Sequence, residues 1–271
     1  MRMGLMGQTL SHSMSVPIHE LYYKKTGIDA TYDLVELPPD RIDCLRELML
    51  GEGFVGLNVT IPYKQAVVSL MDELTDAAKQ VGAINTIHYK KGSFIGHNTD
   101  LFGFERTLRR ADVDVKNKTC AVLGATGGAA QAVICQLLND GAEKIYLVGR
   151  DGIGRNAPDT RCIWTDYYGL RSVCVDIIVN CTPVGMFPDC DRSPVNEYVC
   201  TKAEVLIDLI YNPTITRFMA YGQENGKKVV GGLYMLVAQA VAAECMWQER
   251  AVDHQITDAI YGEIQAEYNA K

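Results

Sequence analysis

No window of about 18 residues runs without polar interruption, so the sequence offers no bilayer-spanning helix. No two cysteines have C-x-x-C spacing, and their number, nine, is odd. A fully paired disulfide framework is therefore excluded, and reduced, mostly buried thiols are expected. Basic residues are outnumbered: Lys plus Arg is 26 against 33 for Asp plus Glu, a formal charge of −7 with a pI near 5.3. That balance argues against a partner of nucleic acid and against an anionic membrane surface. The five histidines (His12, His19, His88, His97 and His254) include no helical i, i+4 pair and no H-E-x-x-H, so no metal site is expected. No G-x-S-x-G elbow supports a serine hydrolase. Repeats and low-complexity tracts are also missing. The opening Met1-Arg2-Met3-Gly4-Leu5-Met6-Gly7 holds no apolar stretch of about seven residues before Gln8, so no secretory leader is read and a cytoplasmic location is expected.

What is present is a foldable composition. Of 271 residues, 48% are hydrophobic and 22% charged, which rules out disorder as the main state. At roughly 150 residues per domain, the length suits one large domain or two modest ones. Strands are expected at Met3–Met6, Thr31–Leu37, Phe54–Val59 and Ile84–Tyr89, with a turn at 90–93. Helices are expected at Val16–Lys25, from an Asp40 N-cap to Leu50, at Tyr63–Met71, and from Asn98 to Ala111 with Thr99 as N-cap. The polar stretch Asp112–Lys118 reads as a linker. A second series of strands follows at Cys120–Leu123, Lys144–Val148, Val175–Asn180, Val205–Leu209 and Lys227–Val230. Leu233–Trp247 is apolar on nearly every face except at Gln239 and Glu244, the mark of a buried helix. Ile256, Ile260, Ile264 and Tyr268 define a last helix expected to pack back on the first domain. The fold class is α/β: an N-terminal open α/β domain over 1–111, joined by helices from 233–271, and a Rossmann-like domain over 112–232.

The turn Val122-Leu123-Gly124-Ala125-Thr126-Gly127-Gly128-Ala129-Ala130 leaves a strand and opens a helix. Glycines let the backbone turn sharply and let a pyrophosphate approach the amides, and the helix N-terminus adds positive potential. The strict G-x-G-x-x-G spacing is absent, so a tight turn without a ligand is the plain alternative. The next strand ends Gly149-Arg150-Asp151. Arg150, with Arg155 nearby, favours the 2′-phosphate of NADP, whereas Asp151 argues for the ribose hydroxyl of NAD.

Four polar clusters interrupt the apolar first domain: Ser11 to Ser15, Asn58 to Lys64, Asn85-Thr86 and Asn98-Thr99-Asp100. Ligands of open α/β sheets sit outside the carboxyl ends of strands, and three of the clusters lie near such ends. A carbonyl that receives hydride needs a proton at its oxygen. Lys64 with Asp100 as partner can deliver it. Taken singly, Lys64 reads as a surface ion pair and Asp100 as a first-turn acid. Together with Thr60, Asn85 and a nucleotide turn they read as a catalytic set.

These residues resemble the shikimate dehydrogenase family over most of the chain. Ser11-His12-Ser13-Met14-Ser15 is similar to the family's H-S-x-S motif, which implies that Ser13 and Ser15 hold the substrate carboxylate. Asn58-Val59-Thr60-Ile61-Pro62-Tyr63-Lys64 resembles N-V-T-x-P-x-K, with Lys64 catalytic and Asn58 and Thr60 at the substrate. Gly82-Ala83-Ile84-Asn85-Thr86 is similar to G-A-x-N-T, placing Asn85 on a ring hydroxyl. Gly96-His97-Asn98-Thr99-Asp100 is similar to G-x-N-T-D, making Asp100 the partner of Lys64. In the second half, Asn180 to Met186 resembles the N-x-T-x-V-G-M loop near the nicotinamide, with Thr182 as a contact. Asp208 to Pro213 resembles D-x-x-Y-x-P, with Tyr211 reaching substrate and Leu209 the cofactor. Gly232 to Gln239 resembles G-L-x-M-L-x-x-Q, with Gln239 over the substrate and Gly232 and Met235 at the cofactor. Asp76 matches an acidic position near the cofactor.

The resemblance implies NADP held by Gly124, Ala125, Thr126, Gly127, Gly128, Ala129, Gly149, Arg150, Asp151 and Arg155, with NAD as the alternative. It implies reversible reduction of 3-dehydroshikimate to shikimate on the route to chorismate and the aromatic amino acids. A quinate/shikimate dehydrogenase preferring NAD, and a non-catalytic module sensing shikimate-type ligands, are the other readings. The only expected partner is a small-molecule substrate, with a homodimer allowed. The sequence departs from the family pattern where Thr126 lengthens the glycine turn, where N-R-T becomes Gly149-Arg150-Asp151, where a helix between 150 and 175 is missing, and where Val16 replaces a proline.

Overall fold

In the computed structural model, which describes residues 1–10, 13–150 and 156–269, the chain divides into two compact units. One comprises Met1–Gly103 with Leu236–Lys271, and the other Phe104–Met235. The polar stretch Asp112–Lys118 lies inside the second.

In the first unit, β1 (Arg2–Gly7), β2 (Thr31–Glu36), β3 (Phe54–Val59), β4 (Glu73–Leu74), β5 (Thr86–Lys90) and β6 (Ser93–His97) form one sheet in the order β2-β1-β3-β5-β6-β4. β1 is buried from Met3 to Gly7, as expected for a strand covered on both faces. Only β5 runs against the others, being antiparallel to both β3 and β6. Its reversal is made at Lys91 and Gly92, both at positive φ (51° and 87°), the two-residue hairpin geometry that suits the twist of the strands. The start of β5 therefore lies beside the ends of β3 and β6: Asn58 pairs with Thr86, and Thr86 with His97. Three of the four polar clusters are thereby gathered on one sheet edge.

The helices of this unit are α1 (Ser15–Thr26), α2 (Leu45–Glu52), α3 (Asp76–Val81) and the start of α4 (Thr99–Arg110). Asn98, not Thr99, caps α4, because the Asn98 side chain accepts from the Leu101 amide at 3.2 Å. The helix expected from Asp40 divides into a 3₁₀ turn at Pro39–Cys44, with Asp40 in its first turn, followed by α2. The expected Tyr63–Met71 helix contracts to a 3₁₀ turn at Ala66–Leu70. The β-branched pair Val67-Val68 weakens helix in this short stretch.

In the second unit, β7 (Thr119–Leu123), α5 (Gly128–Asn139), β8 (Lys144–Val148), β9 (Cys162–Thr165), β10 (Ile177–Asn180), α6 (Glu197–Thr201), β11 (Val205–Asp208), α7 (Arg217–Glu224) and β12 (Lys228–Val230) follow. Every strand pair is parallel, in the order β12-β11-β10-β7-β8-β9. Read from β9, this is the doubly wound order in which the chain reverses direction between its first and fourth strands, here β7 and β10. A ligand crevice is expected where β7 and β10 end. No helix is assigned between β8 and β9 among the described residues.

The last elements are α8 (Leu233–Trp247) and α9 (His254–Asn269). Apart from its first three residues, α8 belongs to the first unit, with α9. Its Trp247 indole donates to the Ile87 carbonyl at 2.9 Å and lies against Gly56, where a Cβ would come within 2.2 Å of the ring nitrogen. The last helix thus returns to the first unit, as its apolar stripe led one to expect. Among the described residues, no helix is long and apolar enough to cross a membrane.

Candidate active site

The edge where β3 and β6 end and β5 begins carries a connected polar cluster, nearly all of it buried. Lys64, a few residues past β3, donates to the Asp100 carboxylate at 2.5 Å. Asp100 sits in the first turn of α4, where the helix dipole favours an anion. Its other oxygen accepts from the Asn85 amide at 3.0 Å. The Asn85 carbonyl accepts from the Thr99 amide (2.7 Å) and from the Thr86 hydroxyl (3.1 Å). The Asn85 amide also reaches Gln239 on α8, at 3.4 Å. The structure thus joins Lys64, Asp100, Asn85 and Gln239 in a single network. Asn58 turns its amide to Thr86 (2.9 Å) and to the Asn85 backbone carbonyl (3.3 Å), while its own side-chain carbonyl accepts from Tyr32 at 2.7 Å. Thr60 follows β3, half-buried, with its backbone amide bonded to Met6.

Ser13 and Ser15 lie at the start of α1. The Ser13 hydroxyl accepts from the Ser15 amide at 3.2 Å, and the Ser15 side chain is buried. Ser11 and His12 of the same motif lie outside the described residues. Asp76 opens α3 and is fully exposed, 3.9 Å from Lys79.

In the second unit, the glycine turn sits at the crevice between β7 and β10. Gly124 has φ +73°, and a Cβ there would come within 2.7 Å of the Thr182 methyl. Gly127 caps α5 without any side-chain hydrogen bond, so no side chain competes for the first amides of the helix. Ala125 is fully buried, while Thr126 is exposed and Gly128 and Ala129 are partly so. A turn with no side chain over a helix N-terminus fits a dinucleotide pyrophosphate. Gly149 is buried beyond β8 and Arg150 is exposed. Asp151 and Arg155 lie outside the described residues. Gly232 packs on Leu209, where a Cβ would meet the Leu209 carbonyl at 2.0 Å, and Met235 is buried. Tyr211 is half-buried after β11.

Sequence reading missed the supports beneath this crevice. Asn180 accepts from the Thr182 amide and hydroxyl (3.0 and 2.7 Å) and donates to Asp208 at 3.0 Å. Asp208 also accepts from the Ile210 amide and the Thr216 hydroxyl. Burial pushes its carboxyl up to about 6. The available signal was a carboxylate and an amide ending two otherwise apolar strands.

A buried lysine–aspartate pair at the edge of an open α/β sheet, in one chain with a glycine-turn Rossmann unit, defines a dinucleotide-dependent oxidoreductase. The comparisons with known proteins narrow the class. Residues 5–87 match the model of the shikimate dehydrogenase substrate binding domain. The chain is 41% identical over 266 residues to a shikimate dehydrogenase (NADP(+)) of Clostridium beijerinckii, covering 98% of both. The crystal structure of shikimate dehydrogenase 1 from Peptoclostridium difficile superposes with a TM-score of 0.94 at 38% identity, covering 98% of each chain. A Listeria monocytogenes shikimate 5-dehydrogenase, solved with shikimate and NAD, gives 0.84 at 27% identity over 97% of this chain and 96% of that one. This chain belongs to the shikimate dehydrogenase family.

Proposed function

We propose that the protein interconverts 3-dehydroshikimate and shikimate with NADP, as a shikimate dehydrogenase on the route to chorismate. The observation that carries the reading is the Lys64–Asp100 pair, 2.5 Å apart and largely buried, on the sheet edge that also bears Asn85 and Gln239. NADP, when bound, supplies the hydride chemistry. The protein's own groups do the rest. Lys64 gives a proton to the carbonyl oxygen of 3-dehydroshikimate and takes it back in the reverse direction. Asp100 orients the ammonium. Ser13 and Ser15 take the substrate carboxylate, while Thr60, Asn85, Tyr211 and Gln239 meet its hydroxyls, with Asn58 beside them.

The cofactor set is the turn Gly124 to Ala129, with Gly149, Arg150, Asp151 and Arg155 toward the ribose, Thr182 and Gly232 toward the nicotinamide, and Leu209, Met235 and Asp76 as further cofactor contacts. In this assignment 1–111 with 233–271 is the substrate domain and 112–232 the NADP domain. The nine free cysteines support a reducing, cytoplasmic setting, and a homodimer is the assembly to look for.

Shikimate oxidation is followed at the nicotinamide absorbance band with NADP and with NAD. Turnover that is faster with NADP, and lost by on the order of 10²–10⁴-fold in Lys64→Ala, is expected. Lys64→Ala within threefold of the parent would remove Lys64 from this role. Faster turnover with NAD, or with quinate in place of shikimate, would favour the quinate/shikimate reading. Thermal stabilisation by shikimate without any turnover would favour a sensing module.

A further inference from the structure

Two loops of the second unit leave the ends of adjacent strands. The loop after β10 carries Thr182, and the loop after β11 carries Leu209 and Tyr211. Asn180 and Asp208, the last residues of those strands, are paired in register, and both are fully buried. One Asp208 oxygen accepts from the Asn180 side-chain amide and from the Ile210 backbone amide, each at 3.0 Å. The other accepts from the Thr216 hydroxyl at 2.6 Å. The Asn180 side-chain carbonyl in turn takes the Thr182 amide and hydroxyl, at 3.0 and 2.7 Å. The carboxylate is therefore bonded directly to the β11 loop at two points and, through Asn180, to the β10 loop. Thr216 also caps α7, accepting from the Met219 amide at 3.2 Å, and a Cβ on Gly185 of the β10 loop would come within 3.7 Å of the Thr216 Cβ.

The chemistry of the donors requires two acceptor oxygens at position 208. A backbone N–H can only donate, so the Thr182 amide turns the Asn180 carbonyl toward itself and leaves the Asn180 NH₂ facing Asp208. The Ile210 N–H likewise only donates, to the same oxygen. The Thr216 hydroxyl gives its proton to the second oxygen. Burial raises the Asp208 carboxyl to about 6, against the pull of these three bonds, so above neutral pH it is ionised and accepts without donating. Asn180 and Thr216 are fully buried and Ile210 is 5% exposed. Without an acceptor at position 208, a buried donor would be left unpaired, and a loop has to shift to satisfy it.

In a doubly wound sheet each half takes one mononucleotide, here β7–β9 with the glycine turn and β10–β12 with the two loops. Building on the reading of this unit as the NADP domain, we infer that Asp208 is a positioning residue for the reaction, fixing the two loops to each other at the base of the nicotinamide half. Fully buried, it touches neither cofactor nor substrate. The test is Asp208→Asn in the full chain, which keeps the size and one oxygen but leaves one buried donor without an acceptor. Calorimetry with 2′,5′-ADP, which has the adenosine end of NADP and no nicotinamide, counts folded nucleotide sites and reads the adenosine half alone. In mildly alkaline buffer, kcat for shikimate oxidation per counted site falls roughly tenfold, while Kd for 2′,5′-ADP stays within about twofold. A merely structural role would lower the number of sites and the thermal midpoint and leave kcat per site untouched. A parent-like kcat per site, or a 2′,5′-ADP affinity that falls as far as kcat, would overturn the inference. Were Asp208→Asn insoluble, Asn180→Ala carries the test, since it cuts the Thr182 loop from the carboxylate. The same split is expected there, and a parent-like kcat per site counts against the inference. The parent separates the two claims. A parent inactive with NADP ends the functional reading and this inference with it, whereas an active parent matched by Asp208→Asn ends only the role of Asp208.

Discussion

Two imidazoles illustrate how burial acts on single side chains. His97 ends β6 with its Nε2 buried and unpartnered, 6.4 Å from the His88 ring. Burial, and then His88, bring it down to about 4 from the usual 6.5. A group depressed in the folded state contributes stability that is complete above the unfolded value and is lost as pH falls toward the folded one. Acidification from pH 7 to 4 should therefore cost on the order of 1–2 kcal/mol through His97, discounted for its partial exposure. The thermal midpoint of His97→Gln should fall less steeply with acid than that of the parent. Equal slopes would show that His97 is not the source. Asn85 was legible in the sequence because an amide stands out in an apolar strand, and Lys64 and Asp100 only in combination with it, since each alone reads as an ordinary surface or first-turn charge. Tyr32 was not, because a tyrosine in an alternating strand reads as packing. Glu244 left a trace as an acid on an otherwise apolar helix, but its partners His19 and Tyr23 lie more than 200 positions earlier, where no local pattern can point to them.

Elements show the same division. β1, β3, β7 and β10 could be read because parallel strands buried on both faces leave unbroken apolar runs, and β2 by its alternation, whereas the short β4 and the hairpin strand β6 went unread. β9 escaped, since Cys162-Ile163-Trp164-Thr165 is short and follows a polar, glycine-bearing stretch. The 3₁₀ turns at 39–44 and 66–70 replaced expected helix where prolines and β-branched residues constrain the chain. The glycine turn was identified by its place between strand and helix, and the structure adds why its first glycine is required. Gly124→Ala puts a side chain at φ +73° and 2.7 Å from Thr182. Positive φ alone costs an alanine roughly 1–2 kcal/mol. Thermal unfolding should come about 2–4 °C earlier per kcal/mol, and NADP affinity measured by calorimetry should drop by about tenfold. Parent-like binding would mean that the turn does not form the pyrophosphate seat.

Across the whole molecule, the thiols report on packing. All nine cysteines are free. Cys120, Cys135, Cys162, Cys200 and Cys245 are buried and Cys174 is exposed. Burial pushes Cys120 up to about 12 and Cys135 and Cys162 up to about 11, which keeps them protonated and unreactive. Maleimide should label Cys174 first in the native protein and reach the five buried thiols only in denaturant, as mass spectrometry of peptides would reveal. Prompt native labelling of Cys120 would contradict the burial described. The largest consequence comes from the division of the chain. The unit bearing Lys64 and Asp100 is assembled from both ends of the polypeptide, whereas the nucleotide unit is continuous. During synthesis, the dinucleotide half leaves the ribosome intact while the reactive half still awaits Gln239, Glu244 and the Trp247 ring that seats on Gly56. A nascent or tail-clipped chain would hold the second unit whole and a first unit still lacking the helices that complete its fold.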